Sequence, residues 1–245
     1  MLKFMKKLTI LFILIFACSS IFALDSQMDV LLGGFGDFVT ASGKGSYDKT
    51  MPDYTVKKTD CDYQAKYKAG GGLLGFDIFF NDFPVGLYFR GSLIGVSGVE
   101  RTMKNTTETI ENTEFGFNTS LNVGPVYEYD FNNYFSLCAA PALAILFMES
   151  QNQAYGSYYL NRATIDSVLG LGVSADVYAK VRYKYFVMTA GCLGAFYPYS
   201  AIESADSNNK YSTVFDNTKA VEIKPYIAVG FTFRERAAST ISAAN

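Results

Sequence analysis

The chain is predicted to be all-β, with its mature part folded as an eight-stranded antiparallel up-and-down transmembrane β-barrel. Three observations carry that expectation. Period-two alternation recurs in eight segments. One face of those segments is apolar while the other is small or polar. The connections between them are alternately short and long. Successive side chains of a strand point to opposite faces, so the first two observations describe a sheet with unlike sides.

The chain begins with a segment of a different kind. Lys3, Lys6 and Lys7 precede a continuous apolar run from Leu8 to Ala17, and small residues follow up to Ala23. The run is too short for a spanning helix, which needs about 20 residues, so residues 1–23 read as a secretory signal cleaved after Ala23. A rival cut lies before Cys18, where Ile15-Phe16-Ala17-Cys18 loosely matches a lipoprotein box. After the signal no apolar stretch is long enough to cross as a helix, so any membrane span must be a closed barrel. The barrel is assigned to residues 24–233 and a C-terminal tail to 234–245.

The clearest strand runs from Phe115 to Tyr129. Phe117, Leu121, Val123, Tyr127 and Tyr129 share one face, and Asn118, Ser120, Asn122 and Glu128 the other. Between Ile165 and Val181, Leu169, Leu171, Val173 and Val177 oppose Asp166, Gly170, Ser174 and Asp176. From Val221 to Phe233, an apolar face opposes Glu222, Lys224, Tyr226 and Thr232. Weaker alternation covers Asp29–Val39, Gly70–Phe80, Val85–Val96, Phe135–Met148 and Phe186–Tyr199. A tilted membrane strand needs about 9–11 residues, and most of these segments reach that length.

Residues 81–84, 130–134 and 182–185 read as short turns. Residues 41–68, 97–113, 149–161 and 200–219 read as long polar loops. In outer-membrane barrels the short turns are periplasmic and the long loops extracellular. Aromatic residues gather beside the short turns (Phe79, Phe80, Phe83, Tyr127, Tyr129, Tyr183, Tyr185, Phe231 and Phe233). A second group, Tyr197 and Tyr199 with Tyr155, Tyr158 and Tyr159, lies toward the loops. Two such groups are read as interfacial girdles. A soluble lipocalin-like ligand-binding barrel in the periplasm is the alternative, and its polarity would be the reverse, polar outside and apolar inside.

Inward-facing charges are expected at Asp29, Asp37, Asp77, Arg90, Glu128, Asp166, Asp176, Glu222, Lys224 and Arg234. Buried charges need partners. The turn at 81–84 folds Asp77 back beside Arg90. Closure of the first strand on the last brings Asp29 toward Arg234 and Asp37 toward Lys224. These pairs either plug the barrel or gate a narrow pore. In the first long loop Lys44, Lys49, Tyr54, Lys57 and Lys58 form a candidate surface for outside partners.

Composition removes other classes. The net charge of -2 gives no basic face for nucleic acid. No His occurs and no Cys pair is closely spaced, so neither a metal nor a cofactor is expected. Of Cys61, Cys138 and Cys192, Cys138 is expected to face inward and Cys192 outward, unpaired.

Signal, strand number, turn-and-loop asymmetry and polar interior together resemble the small outer-membrane barrels of the OmpA-domain, OmpX and OmpW kind. The residue style, rich in Tyr, Phe, Asn and Lys without Trp, resembles small barrels of spirochaetes such as Treponema. The resemblance implies residence in outer-membrane lipid and insertion by the barrel-assembly machinery. It further implies either contact of the loops with host surface or matrix molecules, or a channel for small or hydrophobic solutes. Such barrels usually end in an aromatic residue that the machinery reads, whereas Phe233 here is followed by a tail. Enzymes on this scaffold depend on a catalytic His, which this chain lacks, so no enzymatic activity is expected.

Overall fold

A computed structural model describes residues 26–50, 56–80, 84–104, 109–110, 113–153, 163–206 and 212–234. The signal segment, the possible lipidation site at Cys18 and nearly all of the tail lie outside these residues. Eight long strands are present: β1 (Ser26–Thr50), β2 (Val56–Phe80), β3 (Val85–Lys104), β5 (Thr113–Asp130), β6 (Phe135–Gln153), β7 (Ala163–Tyr183), β8 (Phe186–Asp206) and β9 (Ser212–Arg234). A two-residue strand, β4 (Thr109–Ile110), pairs with the far end of β3. Each long strand is antiparallel to its sequence neighbour, and β1 pairs with β9, so the ring closes. Closure leaves no edge that would expose unpaired backbone groups to hydrocarbon.

The short-turn ends of the strands fall close to the alternating segments. The β5–β6 turn is tightened by Asn132, whose Oδ1 accepts from the backbone N–H groups of Tyr134 and Phe135. The β7–β8 turn is shorter than expected. β7 continues through Arg182 to Tyr183, and Lys184 takes a left-handed φ of 57°. In the β5–β6 ladder, pairing lapses between Val123↔Leu143 and Tyr127↔Ala139. There Pro125 and Pro141 occupy the interrupted stretch, and neither has an N–H to give.

The other ends differ more. β1 and β2 run from Ser26↔Phe80 to Thr50↔Val56, so most of the predicted loop 41–68 is a paired ribbon. β8 and β9 likewise continue into the predicted loop at 200–219. Alternating hydropathy marks the part of a strand that crosses lipid. Backbone pairing continues past it into water, where the outer face needs no apolar residues.

Outward polarity follows that division. On β6 Leu137, Leu143 and Ile145 are exposed, and the next outward charge is Glu149. On β9 the exposed face runs from Phe233 to Val221 and gives way to Lys219. At about 3.3 Å per residue and a tilt near 40°, Val221 to Phe233 rises roughly 30 Å, enough for an apolar band about 25 Å tall. Exposed Tyr127, Tyr129, Phe131, Tyr134, Tyr183, Tyr185 and Phe231 ring the short-turn end. At the opposite border Phe38, Phe196 and Tyr199 are exposed. Two residues assigned to the girdles belong elsewhere. Phe79 and Tyr197 are buried inside the barrel, because their parity matches the inward face. Phe83, Tyr155, Tyr158 and Tyr159 lie outside the described residues.

The interior is layered. Near the short turns it holds charged groups among Tyr88, Tyr178 and Tyr226. Toward the long ends it becomes an apolar cluster that includes Val39, Tyr63, Tyr67, Leu146, Met148, Ile202 and Phe215. There Asp62, Gln64, Lys66 and Lys68 point outward. The polarity expected of a lipocalin therefore appears only above the belt, and the belt has the reverse.

Leu143 stands near the middle of the belt, 68% exposed. Leu143→Arg should destabilise the barrel by about 2–4 kcal/mol, read by urea unfolding in phosphatidylcholine vesicles. An unchanged midpoint would mean that this face meets water.

Candidate functional site: the charged lumen

An eight-stranded barrel has an interior just wide enough for side chains. Charged groups inside it must therefore meet one another, and here they do so in two sets.

The lower set contains three carboxylates and three cations. Arg90 donates from Nη1 to Asp77 Oδ1 at 2.7 Å. Lys180 Nζ lies 2.8 Å from Asp29, 3.0 Å from Asp77 and 3.4 Å from Glu128. Arg182 donates from Nη2 to Asp29 and to Glu128, each at 2.8 Å, and its Nη1 also contacts Glu128. Hydroxyls complete the shells. Thr232 donates to Asp29 at 2.7 Å, Ser136 to Glu128 at 2.6 Å and Tyr178 to Asp77 at 2.7 Å. Asp77, Lys180 and Asp29 are fully buried, so these contacts stand where water would otherwise solvate them.

Aromatic faces and bare backbone make room for the cations. The Arg90 guanidinium lies 4.7 Å from the Tyr88 ring centroid and 5.1 Å from that of Tyr178. Lys180 Nζ is 4.8 Å from the Phe79 ring. A Cβ at Gly75 would come within 2.7 Å of Arg90 Nη1, so glycine there lets the guanidinium lie against β2. Asp176 sits just above, accepting from Tyr88 and Tyr226 at 2.7 and 2.8 Å.

The upper set joins β9 to β1, β3, β5 and β8. Lys224 Nζ is 2.5 Å from Glu222 and 3.6 Å from Asp37, and it donates to Ser120 at 2.6 Å and Ser92 at 3.0 Å. Asn118 donates to Asp37 at 2.7 Å, and Tyr197 donates to Glu222 at 2.5 Å. The Tyr197 ring covers Gly170, where a Cβ would approach within 3.0 Å.

Of the residues named from sequence, Asp77 and Arg90 are brought together, as are Asp37 and Lys224. The side chain of Arg234, the expected partner of Asp29, lies outside the described residues. The β1–β9 register sets Arg234 opposite Gln27 and Thr232 opposite Asp29. Among the described residues, the cations that meet Asp29 come from β7. Lys180 and Arg182, absent from the expected inward charges, both continue the parity of Asp176 and Tyr178; Lys180 falls inside the alternating run that ends at Val181, and Arg182 just past it, in the residues read as a turn. Lys44 is an exposed strand residue rather than a loop residue. Lys49, Lys57 and Lys58 lie on the β1–β2 ribbon, their side chains outside the described residues, and Tyr54 is outside altogether. Cys138 is buried and Cys192 exposed, both free.

The arrangement fills the lumen. Between the sets, beside Arg90, Ser92, Asn122 and Lys224, a void of about 10 Å³ remains, at the lower limit for one water. Above it stands the apolar cluster.

No protein-family model matches the chain, and no curated protein does. Solved structures share its fold. The outer membrane protein OprG from Pseudomonas aeruginosa is 10% identical, covering 84% of this chain and 96% of its own, with a TM-score of 0.52. A major outer membrane protein from Thermus thermophilus is 11% identical over 81% and 99%, with a TM-score of 0.51. Ail, the attachment invasion locus protein of Yersinia pestis, is 14% identical over 86% and 100%, with a TM-score of 0.42. The architecture is that of outer-membrane β-barrels, and at these identities the likeness reaches the fold and no particular lineage.

Lys180→Met would leave Asp29, Asp77 and Glu128 facing two guanidiniums. It should cost about 3–5 kcal/mol, the range for breaking a buried ion pair, in urea unfolding of the micelle-bound barrel. Adding Asp77→Asn should restore part of the loss, whereas additive losses would show that the two residues do not share a network.

Proposed function

We propose that this chain resides in a bacterial outer membrane as a closed barrel, its short turns in the periplasm and its extended ribbons outside. On this reading it acts as a rigid anchor that presents the ribbons for contact at the cell surface. The supporting observation is the doubly filled lumen. Two charged layers are topped by an apolar cluster of buried side chains. The outward apolar belt and the fold shared with outer-membrane proteins support the placement.

Contact with host surface or matrix molecules would engage the β1–β2 hairpin, the longest of them, which carries Lys44, Lys49, Tyr54, Lys57 and Lys58. Insertion would use the barrel-assembly machinery, with Phe231 and Phe233 as the aromatic signal within the chain. The spirochaetal resemblance stays with the residue style. No catalytic role is proposed, since the buried acids are engaged with cations and hydroxyls.

The competing reading is a narrow channel gated by the Asp77–Arg90 pair. Single-channel recording in planar bilayers separates the two. The closed barrel predicts no conductance steps from the native protein, and Arg90→Ala alone should open none while the apolar cluster remains above it. Discrete native steps that change with Arg90→Ala would establish the channel instead.

A further inference from the structure

Above the belt the barrel's outer surface is not uniform in charge. Among the described residues, the exposed charges on β6 and β8 there are Glu149 and Glu203. On β9, β1 and β2 they begin with lysines. Lys68 is in register with Phe38 and Lys66 with Thr40, which pair on their other side with Ile223 and Val221. One step farther out, Lys219 pairs with Ser42. Lys44 follows, opposite Asp62. Most acids of this face stand farther from the belt, Asp62 and Asp216 in register with Lys44 on either side and Asp60 beyond, while Glu100 of β3 is in register with Lys66.

A bulge shapes the same face. Between Ser42↔Lys219 and Lys44↔Asp216, β9 advances three residues while β1 advances two. Asn217, within that stretch, takes a left-handed φ of 49°, which Asn tolerates better than most residues. A bulge bends its strand and re-aims side chains. An open concavity of about 540 Å³ lies here, bordered by Ser42, Lys44, Asp62, Gln64, Asn217 and Lys219.

Directly below, within the belt, Gly34 pairs with Gly72 and Gly36 with Gly70. All four are on the outward face. A Cβ at Gly72 would meet nothing within 4 Å, and one at Gly34 would meet only the Gly71 carbonyl, at 3.7 Å. Leu32 and Phe38, 62% and 51% exposed, flank this bare backbone on β1. The face therefore offers a cationic hollow at headgroup height and a shallow apolar notch beneath it, on the same two strands.

We propose that this face binds an anionic lipid of the outer leaflet, its phosphate-bearing headgroup held by Lys44, Lys66 and Lys219 and an acyl chain lying over the Gly34–Gly72 and Gly36–Gly70 pairs. Charge complementarity selects the headgroup, since basic side chains near a membrane surface attract anionic lipid. The notch separates a lipid from a soluble anion, which would use the lysines alone. The inference rests on the membrane placement proposed above and goes beyond it.

The test uses the mature chain refolded in dodecylmaltoside, with native mass spectrometry against dimyristoyl phosphatidylglycerol and dimyristoyl phosphatidylcholine. The site predicts retention of phosphatidylglycerol about tenfold above phosphatidylcholine. Lys44→Gln/Lys66→Gln/Lys219→Gln should abolish the preference, Gly34→Leu/Gly72→Leu should weaken it, and inorganic phosphate should not displace the lipid. Equal retention of the two lipids, no effect of the lysine variant, no effect of the glycine variant, or displacement by phosphate would each overturn the proposal. Insertion of the native protein into phosphatidylcholine vesicles, followed by heat-modifiable gel migration, checks the placement separately. Failure to insert overturns placement and site together, whereas insertion without lipid preference overturns the site alone.

Discussion

Inside hydrocarbon a backbone N–H or C=O has no water to turn to, so a sheet that crosses must pair every strand on both sides. Here the β1–β9 ladder meets that demand by joining the first long strand to the last. Much else follows from closure. A ring of eight strands fixes an interior that side chains alone can fill, and period-two geometry then assigns each residue to lipid or lumen. Leu143 and Asp176 owe their surroundings to parity before any contact between side chains is considered.

The narrow interior explains why the charges occur in sets. Asp29, Asp77 and Glu128 come from β1, β2 and β5, yet Lys180 alone lies within 3.4 Å of all three. A lone carboxylate at this depth would be costly, and a pair would leave oxygens unmet. Spreading the contacts over β1, β2, β3, β5 and β7 ties the strands to one register, because a one-residue slip would turn any of these groups into lipid. Toward the long ends the surroundings outside change from lipid to water, and the sheet reverses its polarity. Tyr63 and Tyr67 turn inward while Gln64 and Lys66 turn outward, as in a water-soluble barrel.

The belt was legible in the sequence because lipid and lumen impose opposite chemistry on adjacent residues. The runs Val221–Phe233 and Leu169–Val177 show this directly. Strand ends above the belt were not legible. Residues 41–50 and 56–68 carry polar groups of a kind that loops also carry, and only pairing across the ribbon distinguishes them. Lumen partners were legible where a hairpin set the register, as for Asp77 and Arg90. Asp29 depended on β7, several strands away around the ring, and no local pattern announces such a contact. Lys180 could have been found by continuing the parity of Asp176 for two more steps.

On the proposed reading a barrel filled in this way serves as a support rather than a conduit, which turns attention to its outer surfaces, the ribbons above and the cationic face beside them. All of this depends on one claim, that the outer surface changes from lipid-facing to water-facing partway along each strand. Site-directed spin labels in phosphatidylcholine vesicles measure that change directly. Labels at Leu32, Leu143 and Leu171 should be relaxed by oxygen and protected from an aqueous nickel chelate, with the reverse at Lys44, Gln64 and Glu149. Equal access of the chelate to both groups would contradict the account.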